Sequence, residues 1–345
     1  MNEPIETDDS GVENHSVPVI THEKQKVVYF SRRLKNVSAL SLLFISGAIT
    51  VLITLGIFIF VFKETTPLIL HAEQRNDMSL YHNTEENDEF ERTASIFLVL
   101  DNIFGQSRWQ PVDDAPLFSI WPLAVGTLKI TTVALVEATV VGFFSAIAIA
   151  FYLPRQLRYT TKVVFELLAG MPTVVLGFLG LMVFATYFQS IFGTTYRLNA
   201  FVCGSVLSLT AIPIITTLFE EIYAGFPKDQ IYSAKCSGLY DYQIITYLIL
   251  PATWGKVFAA VLLGFGRCFG ETMVVLMVSG NAAVLDLSLV SGARTMAATI
   301  GSEMAEVVVG DTHYSMLFLL GTLLIVATYL INFFSQLLIR KWTYD

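Results

Sequence analysis

The chain has 345 residues, 54% hydrophobic and only 14% charged, with a formal net charge of −8 and a mean hydropathy of +0.61. That balance excludes an ordinary water-soluble domain. The apolar runs are continuous rather than alternating, so the expectation is an all-α integral membrane protein, with helices rather than barrel strands in the lipid.

In chain order, residues 1–35 are polar and mixed in charge, and a cytoplasmic tail without fixed structure is expected there. A transmembrane domain, 36–345, follows. About 20 apolar residues cross the hydrocarbon core, and on that rule six spans are expected, at 38–62, 122–152, 168–191, 199–219, 254–280 and 315–338. Arg32, Arg33 and Lys35 precede the first span, Arg155, Arg158 and Lys162 lie between the second and third, and Arg340 and Lys341 follow the last. The positive-inside rule puts those segments, and both termini, in the cytoplasm. An acidic insertion at about 64–120 then falls outside. Its stretch 71–94 reads as a solvated loop, with a docking surface for a partner as the sharper reading. Two further loops exceed what a turn needs: a cytoplasmic one at about 220–253, and an outer one at 281–314 that contains the helix-like GARTMAATIGSEMAEV.

Polar residues inside apolar segments are the candidates for function. Arg267 and Glu271 stand four apart in a run that reads as one helix from Trp254 to Gly280, with Arg267 near its centre. A charge there costs about 2.5–3.5 kcal/mol or more unless it meets a partner, a cavity or water. On one helix the two share a face, but in the less favourable order. Gly266 and Gly270 form a GxxxG step beside them, where another helix could approach. The bland reading is a buried ion pair that fixes packing. The functional one makes Arg267 the oxyanion contact, through its planar fork, and Glu271 the group that positions it. Lys129 and Glu137 lie in the second span. Lys129 reads as snorkelling to the interface, and Glu137 either as a cavity group or as hydrogen-bonded to a Thr on a neighbouring helix. Met171-Pro172 and Pro213 are expected to kink the third and fourth spans. The cysteines Cys203, Cys236 and Cys268 fit no metal or disulfide spacing, and no catalytic residue, metal or cofactor is expected.

The cytoplasmic loop YSAKCSGLYDYQIITYLILPATWG resembles the coupling loop of ABC importer permeases. Gly238 and Leu250-Pro251 fall at the family spacing, and Tyr232, Ser233 and Ala234 occupy its Glu-Ala-Ala positions without the acidic residue. The resemblance implies a short helix that docks on an ATPase subunit. From about residue 120 to the C-terminus, the segments VGTLKITTVAL, ELLAGMPTVVLGFLGL, AIPIITTLFEEIYAGFP, LGFGRCFGETMVVLMVSGN and RTMAATIGSEMAE are similar in order and spacing to the PstC-type permease family of phosphate ABC importers. That resemblance implies a six-span type I importer permease in the bacterial inner membrane. It also implies a homologous second permease subunit, two copies of a cytoplasmic ATPase and an extracytoplasmic phosphate-binding protein as partners, and no nucleic acid. The family's essential arginine and acidic residue map onto Arg267 and Glu271. With no GxxxxGK[ST] phosphate cradle, the chain is not itself the ATPase. The rival readings are a sulfate, molybdate or tungstate permease, a proton-coupled secondary transporter using Glu271 or Glu137, and a scaffold that does not transport.

Overall fold

The structure, a computed structural model, describes residues 22–70, 103, 105, 107–113 and 116–341, with side chains of the first helix described from 40 to 66. The acidic stretch 71–94 and the first 21 residues lie outside the described residues.

Helix α1, His22–Leu70, begins well before the tail boundary expected at residue 35. By packing the chain divides between Ile59 and Phe60 into two units. In the first unit the α1 side chains from Leu40 onward are largely exposed, as an apolar lipid-facing helix requires. The second unit starts with the end of α1, where Phe60 meets Phe318 edge-on at 5.8 Å and the hydroxyls of Thr65 and Thr322 lie 3.1 Å apart.

The second unit holds α2 (Trp121–Ile147), α3 (Arg155–Ala169), α4 (Thr173–Leu179), α5 (Ala185–Phe192), α6 (Ala200–Ala224), α7 (Lys228–Cys236), α8 (Asp241–Ile244), α9 (Leu250–Phe269), α10 (Met273–Val278), α11 (Met296–Glu303) and α12 (Thr312–Lys341). Three π-turns, at Ala148–Tyr152, Gly180–Phe184 and Ile245–Ile249, extend α2, join α4 to α5 and join α8 to α9. Among the described residues six stretches are long and apolar enough to cross a membrane: Leu40–Thr66, Trp121–Tyr152, Thr173–Phe192, Ala200–Ala224, Asp241–Phe269 and Thr312–Arg340.

The core sits between α2 and α6. They approach closely because a Cβ on Gly204 would come within 2.6 Å of Val133, and one on Gly142 within 2.9 Å of Ile215. Ile130, Ala134, Ala138, Val206, Ile215 and Phe219 fill the seam and are buried. Most buried threonines close their hydroxyls on their own helix, as Thr216 does on the Ile212 carbonyl at 2.7 Å, whereas the buried hydroxyls of Thr139 on α2 and Tyr223 on α6 have no partner among the described residues.

Three boundaries differ from the expectation. The chain breaks at Gly170-Met171-Pro172, so the third span begins at Thr173 rather than being kinked within itself. The loop expected at 220–253 shrinks to residues 225–240, because α6 runs to Ala224 and helical backbone resumes at Asp241. The fifth span begins at Asp241 rather than Trp254, because the π-turn at Ile245–Ile249 joins α8 to α9, and Pro251 lies in the first turn of α9 just after it.

At the end of the bundle assigned to the outside by charge, the loops are joined by backbone bonds. Strand β1 (Trp109–Gln110) pairs antiparallel with β2 (Leu117–Phe118), the Trp109 N–H donates to Ala283 at 3.2 Å, and the Ala200 N–H to Ser291 at 2.9 Å.

Candidate functional site

The fifth span stops earlier than its hydropathy suggests. Helix α9 ends at Phe269 with Gly270 as its cap, and a separate short helix, α10, starts at Met273. Arg267 is therefore in the last turn of a helix, not at the centre of one, and Glu271 lies in the link between two helices. The expected shared face does not exist. Instead, Arg267 sits at the negative end of the α9 dipole and Glu271 just before the positive end of α10, both favourable placements. Arg267 is exposed and Glu271 half-buried, and among the described residues neither makes an ion pair with the other. The glycines separate too. A Cβ on Gly266 would lie 3.5 Å from the Asn332 amide oxygen of α12, an ordinary contact, whereas Gly270 faces open space. Gly270 is a helix terminator here, not half of a packing step.

Glu137 and Lys129 are committed within the chain. Ser205 and Ser208 of α6 donate to the Glu137 carboxylate at 2.7 and 3.1 Å. The hydrogen-bonded reading of Glu137 thus has its donors, serines rather than a threonine on the neighbouring helix. The Lys129 ammonium donates to the Asp286 carbonyl at 2.9 Å and to Ser291 Oγ at 3.3 Å. It is buried and staples the outer loop to α2 rather than snorkelling. Both residues line an apolar cavity of about 580 Å³ with Leu128, Val136 and Phe201.

At the opposite end, α7 carries Tyr232, Ser233 and Ala234, with Tyr232 63% exposed. Gly238 takes φ +84°, a conformation that suits glycine, and turns the chain into α8. Lys235 pairs with Asp241 at 2.9 Å across that turn, and the hydrogen bond raises the lysine's pKa. Leu250 and Pro251 open α9.

Two clusters went unassigned in the sequence. Lys162 of α3 meets Glu220 of α6 at 2.8 Å. At the outer end, Glu303 receives Arg294 at 2.7 Å, His313 at 2.8 Å and the Trp109 indole N–H at 3.0 Å. RTMAATIGSEMAE and the His313 segment held those residues, but nothing in their spacing predicts that they converge.

An exposed arginine at a helix end inside a span, committed polar groups elsewhere, and an exposed short helix in the loop at the opposite face together describe a membrane permease. The chain belongs to the family of binding-protein-dependent transport system inner membrane components, whose model matches residues 138–344. It is thus the multi-pass membrane subunit of an ABC importer, not the enzyme, and its partners include an ATPase and a substrate-binding protein. It is 32% identical over 65% of its length, and 72% of the relative's, to the "Probable ABC transporter permease protein YqgH" of Bacillus subtilis. It is 30% identical, over 68% of its length and 76% of the relative's, to the phosphate transport system permease protein PstC of Mesorhizobium japonicum. Its fold matches a bacterial ABC transporter involved in the import of alginate, with TM-score 0.54, covering 90% of this chain and 99% of that one at 14% identity.

Proposed function

We propose that the chain is the transmembrane permease of an ATP-driven importer of inorganic phosphate, with Arg267 as the anion contact on its pathway. The observation that carries this is the exposed Arg267 at the end of α9, next to the α9–α10 break, in a chain 30% identical to a phosphate transport permease. Guanidinium stays charged at any working pH, and its fork matches a tetrahedral oxyanion. Glu271 moderates that charge, so that the site releases its cargo. Glu137 and Lys129 are read as tethers of α6 and of the outer loop, because their polar atoms are already used.

The open side of Arg267 faces a homologous second permease, and the two chains alternate between outward-open and inward-open states around the anion. The exposed α7 docks on one of two ATPase copies in the cytoplasm, and the turn at Gly238 passes ATPase closure into α8 and α9. The outer loops receive an extracytoplasmic phosphate-binding protein.

The test is uptake of radiolabelled phosphate by cells carrying the whole operon. Uptake that persists under excess sulfate and molybdate supports phosphate as cargo, and competition by either anion overturns it. Transport by this chain alone in liposomes, driven by a proton gradient, would overturn the ATP-driven reading.

A further inference from the structure

We propose a second oxyanion site at the outer mouth of the permease, in the cavity between β1 and the 281–294 loop, that holds free phosphate before it reaches Arg267. The inference rests on the import reading above. The cavity measures about 220 Å³, room for a tetrahedral anion with several of its waters, and its walls include Arg108, Trp109, Gln110, Asn281 and Arg294. Among the described residues it is lined by two arginines and no acidic residue. The cavity next to it, about 790 Å³, shares Gln110 and Arg294 but adds Asp113, Glu303 and Glu306, and so disfavours anions.

Glu303 pairs with Arg294 and offsets part of its charge, but it also accepts from His313 and Trp109 and is not among the cavity's described walls, so the open charge there is that of Arg108. Arg294 offers five N–H donors and bonds only Glu303 with its side chain among the described residues. Arg108 pairs with no carboxylate among the described residues, and it is exposed.

Both arginines are held from the backbone, so the cavity exists before any anion arrives. Arg108 bridges Val284, the Trp109 N–H bonds Ala283 at 3.2 Å, and the Leu285 N–H bonds Ser107 at 3.1 Å. Arg294 follows Ala293, whose N–H bonds Ser279 at 3.0 Å. Asn281, at φ +49°, donates from its amide to the Leu276 carbonyl at 2.8 Å and so fastens the cavity wall to α10. Glu271 lies at the other end of α10, a helix of six residues and hence roughly 9 Å. One short helix thus links the outer cavity to the Arg267 and Glu271 break.

The shared chemistry is a phosphate oxyanion, which a lipid headgroup also carries, and the test separates the two. The complete transporter, without its binding protein, is placed in nanodiscs of zwitterionic lipid, and binding of radiolabelled inorganic phosphate is measured in an Arg267→Gln background. Phosphate binding should survive Arg267→Gln, weaken at least about tenfold when Arg108→Gln is added, and recover largely with Arg108→Lys. Arg108 is chosen because Arg294→Gln would also break the Glu303 pair, and co-purification of the ATPase checks assembly. No binding in Arg267→Gln, or equal binding with and without Arg108→Gln, overturns the site. Loss of phosphate binding in anionic-lipid nanodiscs overturns the free anion as its occupant. Uptake separates this inference from the import reading: transport of phosphate with Arg108-independent binding sinks the cavity alone. If the intact system imports no phosphate, the import reading falls, and the same series with labelled sulfate decides the cavity.

Discussion

The α2–α6 seam and the α9–α10 break are both built from apolar residues with one carboxylate each, yet they treat that carboxylate in opposite ways. In the seam, two serine hydroxyls satisfy Glu137, and glycines bring the two helices into close contact. At the break the backbone ladder stops, a cation and an anion are set on separate helix ends, and the cation is left exposed. A closed polar group holds two helices together, whereas an open one waits for something outside the chain.

The largest effect expected from this contrast is at the break. Arg267→Gln should lower phosphate uptake roughly 10- to 100-fold, the worth of charge-assisted bonds, while the ATPase still co-purifies. Unchanged uptake would remove Arg267 from the pathway. Next is the seam: Gly204→Leu must displace Val133, at about 1–3 kcal/mol, seen as a lower thermal midpoint of the purified complex and less of it. A midpoint equal to wild type would mean that the two helices are not tightly seated. Glu137→Gln keeps an oxygen for one serine and turns an NH2 toward the other, whose hydroxyl can accept, so uptake should stay within about twofold and the midpoint should hold. A tenfold loss of uptake at normal stability would make Glu137 a pathway group and erase the contrast. The smallest effect concerns the exposed Lys235–Asp241 pair. The raised lysine pKa makes its contribution complete below the unfolded value, about 10.4, and lost only as pH rises through the folded value. Lys235→Ala should therefore shift the midpoint equally, and slightly, at pH 6 and pH 8, as parallel melting curves would show.

Most of the span architecture was legible, because a run of 20 apolar residues has little alternative to crossing the membrane. The break at Gly270 was not read, since Met273–Val278 is as apolar as the helix before it and hydropathy cannot see a backbone interruption. Helix-end chemistry could have shown it. Arg267 in a last turn, Gly270 as terminator, then Glu271 and Thr272 before a new start is the order in which one helix stops and another begins. The loop after α6 is shorter than expected for a related reason: hydropathy falls at Asp241 and Gln243, yet helical backbone already resumes there and continues through the π-turn. The meeting of Arg294, Glu303, His313 and Trp109 depends on loop closure over long sequence separations, and no local pattern encodes that.

The π-turn at Ile245–Ile249 has a geometric consequence for Arg267. A π-turn holds one residue more than the α-turn it replaces, so it rotates everything beyond it by about 100° about the helix axis. It sits at the end of the span beside α7 and α8, and Arg267 at the other. The azimuth of the guanidinium is therefore indexed from the far end of its span, as a key's bit is aimed by turning its bow.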